Sequence, residues 1–174
     1  MKFTYRNLLV LFTGIFIMAV FNFASCKYGF KDTAPIPAEV KTFRVIQLDN
    51  KAQYVNAQLS PQLTEKLKQK IIGNTRLQQV NGDDAHYEIS GYVSQYNVSV
   101  ISIADKNNTG NRLNVGFHLI FKNSLDETKN FEADLSRSYD FAGDLSLSDV
   151  GNTLTPKIVE GIVDEIFNKI FSNW

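Results

Sequence analysis

The chain has 174 residues, 18 basic and 18 acidic side chains, one cysteine and two histidines. That balance supplies no cationic footprint for nucleic acid, one cysteine cannot close an internal disulfide, and two histidines offer little to a metal. No internal repeat or low-complexity segment is apparent.

Lys2 and Arg6 precede an uncharged, nearly all-apolar run from Leu8 to Phe23. A charged start, an apolar middle and small residues after it read as a secretion signal, and the run falls short of the ~20 residues of a spanning helix. Ala24-Ser25 directly before Cys26 resembles the lipobox of bacterial lipoproteins, with Phe23 where most lipoboxes carry Leu. The resemblance implies cleavage before Cys26 and acylation there, a diacylglyceryl group on the sulfur and an acyl chain on the new amino terminus. No other cofactor is expected. An ordinary secretion signal followed by a chance cysteine is the alternative. Lys27 after the cysteine resembles the proteobacterial pattern of outer-membrane delivery. Residues 1–25 are therefore expected as a removed signal, 26–41 as a lipid-anchored tether with Pro35-Ile36-Pro37, and 42–174 as one domain. Loss of Lys2 and Arg6 leaves that mature chain slightly acidic.

Thr42 to Asp49 is rich in β-formers and predicts the first strand; Asn50 to Gln58 is a polar loop. Ser60-Pro61 predicts a helix start with Ser60 as the cap. Leu59, Leu63, Leu67 and Ile71 recur every four residues as one apolar stripe, closed by Gly73-Asn74, with lysines 66, 68 and 70 on a solvated face. Leu77 to Val80 predicts a short strand end, and Asn81 to Asp84 a turn. Tyr87, Ile89, Gly91 and Val93 share one parity, whereas Tyr96, Val98 and Val100 have the other. A period of two cannot change parity without a bulge, which places an irregularity between Val93 and Tyr96. Ala104 to Gly110 is a polar hairpin loop.

Leu113, Val115, Phe117, Leu119 and Phe121 alternate with Asn114, Gly116, His118, Ile120 and Lys122. After a turn at Asn123 to Asn130, Phe131, Ala133, Leu135, Arg137, Tyr139 and Phe141 alternate with Glu132, Asp134, Ser136, Ser138 and Asp140. These are half-buried antiparallel strands with one dry and one wet face. Arg137 breaks the dry row, either by lying past the sheet edge or by meeting a partner or ligand. Ser148 to Trp174 predicts the second helix, with a stripe through Val150, Leu154, Ile158, Ile162, Ile166 and Ile170 and a cap at Ser148-Asp149. Pro156 lies inside its pattern and either delays the start or bends the helix. The expected fold is a two-layer α+β sandwich, an about four-stranded, mainly antiparallel sheet with both helices on one face, in the order β-α-β-β-β-α.

Nothing in the chain resembles a nucleophile elbow, a phosphate loop, a dinucleotide fingerprint or a zinc helix. Asp83-Asp84 with His86 reads as a solvated acidic turn before a metal site, and His118 as an exposed strand residue. No catalytic or metal residue is assigned, and the chain is not expected to be an enzyme.

The segments Cys26-Lys27-Tyr28-Gly29-Phe30 and Ile36-Pro37-Ala38-Glu39-Val40-Lys41-Thr42 resemble the start of mature LptE-family proteins of the Bacteroidetes type. Asn111-Arg112-Leu113, Phe131 to Phe141 with Ser136-Arg137-Ser138-Tyr139-Asp140-Phe141, and Ile166 to Trp174 are similar to the same family, in the same order. The resemblance implies an outer-membrane lipoprotein facing the periplasm. It would plug an LptD-like β-barrel and serve lipopolysaccharide delivery to the cell surface, through contact with lipopolysaccharide itself or with the barrel alone. Arg112, Lys122 and Arg137 are the candidate lipopolysaccharide or partner contacts, because a phosphorylated lipid needs cationic donors. The competing expectation is a periplasmic lipoprotein that carries a lipid or other apolar ligand in its own cavity.

Overall fold

A computed structural model describes residues 36–54, 56–102, 109–142 and 146–172. The signal, Cys26, residues 27–35, the 104–108 part of the hairpin loop and Trp174 lie outside the described residues. The elements in chain order are β1 (Thr42–Val45), β2 (Asp49–Asn50), α1 (Leu59–Asn74), β3 (Gln78–Gln79), β4 (Tyr87–Ser102), β5 (Thr109–Asn123), β6 (Phe131–Ala142) and α2 (Leu147–Phe171), with a 3-10 turn at Glu127–Lys129 before β6. They form one mixed sheet in the order β3-β1-β4-β5-β6, with β2 beside β4. The α+β sandwich is as expected; strand number and order differ in detail.

The long members are β4, β5 and β6, joined antiparallel, with Phe117 opposite both Val93 and Leu135. The alternation predicted along β5 is the one observed: Leu113, Val115, Phe117, Leu119 and Phe121 are all buried. The register shifts between Val93 and Gln95, so Ser94 is the additional residue and the parity change falls where the sequence required it. Gly91 is needed nearby. A Cβ there would lie well inside contact distance of the His118 carbonyl oxygen and 2.7 Å from the Phe117 ring.

The first strand departs from expectation by splitting in two. Phe43 and Val45 pair with Tyr87 and Ile89, but Asp49 pairs with Tyr92, so four residues advance against three. The cause lies in helix α1. The Leu48 N–H donates to Thr64 Oγ1 at 3.0 Å, and the Leu48 carbonyl accepts the Ser60 hydroxyl. Both backbone groups of Leu48 are thus taken by the helix rather than by β4. The same contact corrects the expected cap: Ser60 sits in the first turn with its hydroxyl already engaged, and Gln58 occupies the cap position without a side-chain bond. Both β1 and β2 run parallel to β4, and β3 runs parallel to β1.

Residues 36–41 are packed rather than extended away. Val40 is 1 % exposed, its N–H donates to the Pro37 carbonyl, and Arg76 donates to the carbonyls of Ile36 and Pro37 at 2.7 and 2.5 Å.

Both helices pack on the face carrying the odd-numbered residues of β5. Leu59, Leu63, Leu67 and Ile71 of α1 meet Ile158, Ile162, Ile166 and Phe171 of α2 within one core. Lys70 joins the two helices through Asp164 at 2.6 Å, and Lys68 pairs with Glu65 at 2.8 Å. The cap of α2 is Ser146, two residues before the expected one. Its hydroxyl accepts from the Asp149 N–H at 3.3 Å while donating to the Asp149 carboxylate, a reciprocal capping arrangement. The helix runs continuously through Pro156. An interior proline costs about 3 kcal/mol, and each large apolar side chain that α2 buries returns roughly 1.5–3 kcal/mol, so the burial wins.

Candidate functional site

Neither helix covers the second face of the sheet. The pleat places the even-numbered residues of β5 there, and register supplies their neighbours. Four of the rows, taken from one end to the other, are Arg44, Glu88 and Lys122; Tyr92, His118 and Asp134; Asn97, Asn114 and Ser138; and Ser99, Arg112 and Asp140, with Ser90, Ile120 and Glu132 between the first two and Gln95, Gly116 and Ser136 between the second and third. Polar side chains predominate, and cross-strand contacts tie them together.

At the first row the Arg44 guanidinium pairs with both Asp83 and Glu88, and Lys122 Nζ lies 3.3 Å from Glu88. The bond from Arg44 holds the Glu88 carboxyl below the usual carboxylate range. At the second, His118 Nδ1 is 2.7 Å from Asp134 and Nε2 is 3.2 Å from Glu132. Both nitrogens face carboxylate oxygens, so both donate only when the ring is charged, and the Asp134 bond raises the imidazole pKa above its ordinary value. The Tyr92 ring lies 5.1 Å from His118, with Lys51 Nζ 4.2 Å from its centre. At the third, the Ser138 hydroxyl donates to Asn114, whose amide donates to Ser99 at 3.1 Å. At the last, Arg112 grips Asp140 through two bonds of 2.6 and 2.9 Å and lowers its carboxyl pKa.

The three candidate cations do not converge. Arg112 and Lys122 stand on the uncovered face at opposite ends of β5, and ten residues of strand separate them by about 34 Å. Arg137 lies on the helix side, opposite Val115, and its Nε meets Glu165 of α2 at 2.8 Å. That position resolves the interrupted dry row. The β6 edge lets the guanidinium reach outward along α2. Gly161 makes the room: a Cβ there would stand 2.6 Å from the Tyr139 hydroxyl and 3.1 Å from Arg137 Cδ. Each candidate has a carboxylate partner, so an anion must compete with that carboxylate or join it.

Arg44 and Lys51 were missed by sequence reasoning. The parity of Thr42–Val45 signals that Arg44 faces away from Phe43, but its partners depend on a parallel pairing that one sequence does not announce. The His86 reading also resolves locally: its Nδ1 accepts the Lys41 N–H at 2.9 Å, and Asp83 belongs to Arg44. Among the described residues no group of three or more His, Cys, Asp or Glu side chains is arranged so that it could hold a metal ion.

The lipopolysaccharide-assembly family LptE matches residues 40–170. The chain belongs to the LptE family. The match begins at Val40, the buried residue with which the core opens, and ends at Ile170 in the last turn of α2, so it spans both layers of the sandwich. The LptE resemblance read from the sequence is thereby met over residues 40–170. No curated protein matches the sequence. Solved structures with a similar course include a minor lipoprotein from Acinetobacter baumannii at 14 % identity, with 76 % of this chain and 97 % of that one covered and a TM-score of 0.46. A rare lipoprotein B from Shewanella oneidensis matches at 14 % identity, with 73 % and 92 % covered and a TM-score of 0.45. A lipoprotein B from Nitrosomonas europaea matches at 12 % identity, with 82 % and 84 % covered and a TM-score of 0.46. In this LptE-family chain the uncovered sheet face holds many polar groups in register, and it is the candidate site.

Proposed function

We propose that this chain is a non-enzymatic lipoprotein of the outer membrane, acylated at Cys26 and facing the periplasm, that plugs an LptD-like β-barrel for lipopolysaccharide delivery. Family membership supports the role in lipopolysaccharide assembly, and the Ala24-Ser25-Cys26 pattern after an apolar run supports the anchor. The observation that carries the plug is the uncovered face. A plug in an aqueous barrel must present polar groups to a polar wall, and this face presents ordered rows of them from Arg44 to Asp140. Bonds between neighbouring strands hold those groups in place, so little side-chain entropy remains to be lost on docking.

The carrier alternative requires room between the layers. There the described side chains of Phe43, Leu63, Ile89, Phe117, Leu119 and Ile158 are fully buried against one another, which favours the plug.

The test is gentle detergent extraction of the native, acylated chain, with identification of what accompanies it in fixed ratio. One large β-barrel at one-to-one is expected. Substituting Asn114→Arg together with Ser138→Arg is then expected to release the barrel while leaving the fold intact. Recovery of the chain alone, or normal barrel assembly and lipopolysaccharide export after deletion of its gene, overturns the plug.

A further inference from the structure

The sheet ends differently on its two sides. One edge is β3, a strand of two residues. The other is β6, twelve residues long and paired only with β5 among the described residues. Short edges, prolines, lysines and bulges are the usual guards against strand addition. β6 carries no proline or lysine, and its register with β5 runs unbroken from Phe131 to Ala142.

Register decides which backbone groups β6 leaves open. In an antiparallel ladder a residue turns its N–H and its C=O to the same side, and the next residue turns both to the other. The Ser124 N–H donates to the His86 carbonyl at 2.9 Å, so even residues of β5 face β4 and odd ones face β6. The Asn123 N–H agrees, reaching Asn130 Oδ1 at 2.7 Å. Odd residues of β5 stand opposite odd residues of β6, as Phe117 does opposite Leu135. The backbone groups of Glu132, Asp134, Ser136, Ser138 and Asp140 therefore point out of the sheet edge.

The side chains along that edge select what can pair there. On the helix side Leu135, Tyr139 and Phe141 are only half-buried. An open recess of about 340 Å3, lined by Leu135, Arg137, Glu165, Asn168 and Lys169, lies between β6 and α2. That side suits apolar residues of an added strand. On the wet side the side chains of Glu132, Asp134 and Asp140 are 64, 83 and 54 % exposed. His118 and Arg112 hold them from β5, and their exposure leaves room for a cation from the outer side. A second copy adding antiparallel about Ser136 would set Glu132 against Asp140, and like charges opposite one another destabilise a strand pair. A basic strand meets no such conflict.

We propose that β6 receives an extended segment of the protein partner, alternating basic with apolar residues, as a further strand of the sheet. The inference rests on the barrel partnership proposed above and deepens it. Strands within a closed barrel wall have both edges paired, so the segment comes from an inward loop or a terminal arm of the barrel protein. Backbone bonds supply the hold, and the carboxylate row selects the charge.

The test uses the native acylated chain in its complex, compared with the same full chain freed from it. Hydrogen exchange read residue by residue is expected to slow by about tenfold or more at the even-numbered amides of β6 in the complex. Ser136→p-benzoylphenylalanine is expected to cross-link to one stretch of the barrel protein with Lys or Arg at alternate positions. Ser136→Pro removes an outward N–H and no bond to β5. It is expected to restore fast exchange at Asp134 and Ser138 and to lower barrel recovery severalfold, with Ser136→Ala behaving as the native chain. Protected odd-numbered amides show that the proline variant is folded; the native exchange and the cross-link decide if it is not. Even-numbered amides exchanging alike in both states overturn the inference, as does a cross-link to a second copy of this chain or to a stretch without alternating basic residues. The failures separate: absence of any barrel removes the plug and this inference together, whereas a barrel recovered with the edge still exchanging freely removes this inference only.

Discussion

Strand β5 carries two chemistries on one backbone. Its odd residues, Leu113 to Phe121, are buried among two helices, while Arg112, Asn114, His118 and Lys122 of its even residues join ion pairs and amide bonds on the uncovered face. The dry side is held by area and fit, which do not depend on which neighbour supplies the carbon. The wet side is held by partners, and each partner is a particular residue. Stability should therefore reside in the odd residues, and recognition in the even ones.

The strongest way to break that division is Phe117→Ala. Phe117 is fully buried at the centre of the sheet, so loss of about 3–5 kcal/mol in denaturant unfolding is expected, against almost none for Asn114→Ala three residues earlier on the wet side. Equal losses would refute the division. Gly91→Ala comes next. The added carbon collides with the His118 backbone, and a loss of roughly 1–3 kcal/mol is expected without any change in surface chemistry.

The wet side should respond to pH instead. The folded state raises the pKa of His118, so its contribution is fully present below the unfolded pKa and fades as pH rises through the folded value. The folded state lowers the carboxyl pKa of Glu88, whose bond to Arg44 is half-buried, whereas Asp140 is exposed and contributes little. The Glu88 contribution is present above the unfolded pKa and fades as pH falls through the folded one. Unfolding followed from acid to mildly basic pH should show both losses, and His118→Gln should remove only the basic one. An imidazole titration in the ordinary range or lower would contradict the Asp134 and Glu132 contacts. Smallest of all, Arg112→Ala should leave the unfolding midpoint within replicate scatter, because the pair with Asp140 is solvent-exposed.

Alternation along β5 and β6, the stripes of both helices and the parity change near Ser94 were legible because each is a local pattern with a fixed period. The Arg112–Asp140 row follows from such patterns once β5 and β6 are known to be neighbours. Other features are properties of contact rather than of pattern. The break after Val45 exists because Ser60 and Thr64 claim the Leu48 backbone. The cap at Ser146 was displaced in expectation because Ser148-Asp149 offers the same chemistry two residues later. Among the candidate cations, Lys122 was recognisable as a wet-face residue, but its sharing of Glu88 with Arg44 needed the parallel alignment of β1 and β4. Arg137 looked like an interruption because nothing in one sequence shows Gly161 making space for it from a helix 24 residues later.

The seating of residues 36–41 has a mechanical consequence. Arg76 clasps the carbonyls of Ile36 and Pro37, Val40 is sunk in the core, and β1 then runs between β3 and β4. A tug on the N-terminal side of Ile36, directed along β1, loads the bonds on both flanks of that strand together, in shear, instead of peeling them one after another. With Cys26 acylated as proposed, force arriving from it would be spread over the middle of the sheet, and the domain would resist unfolding from that end.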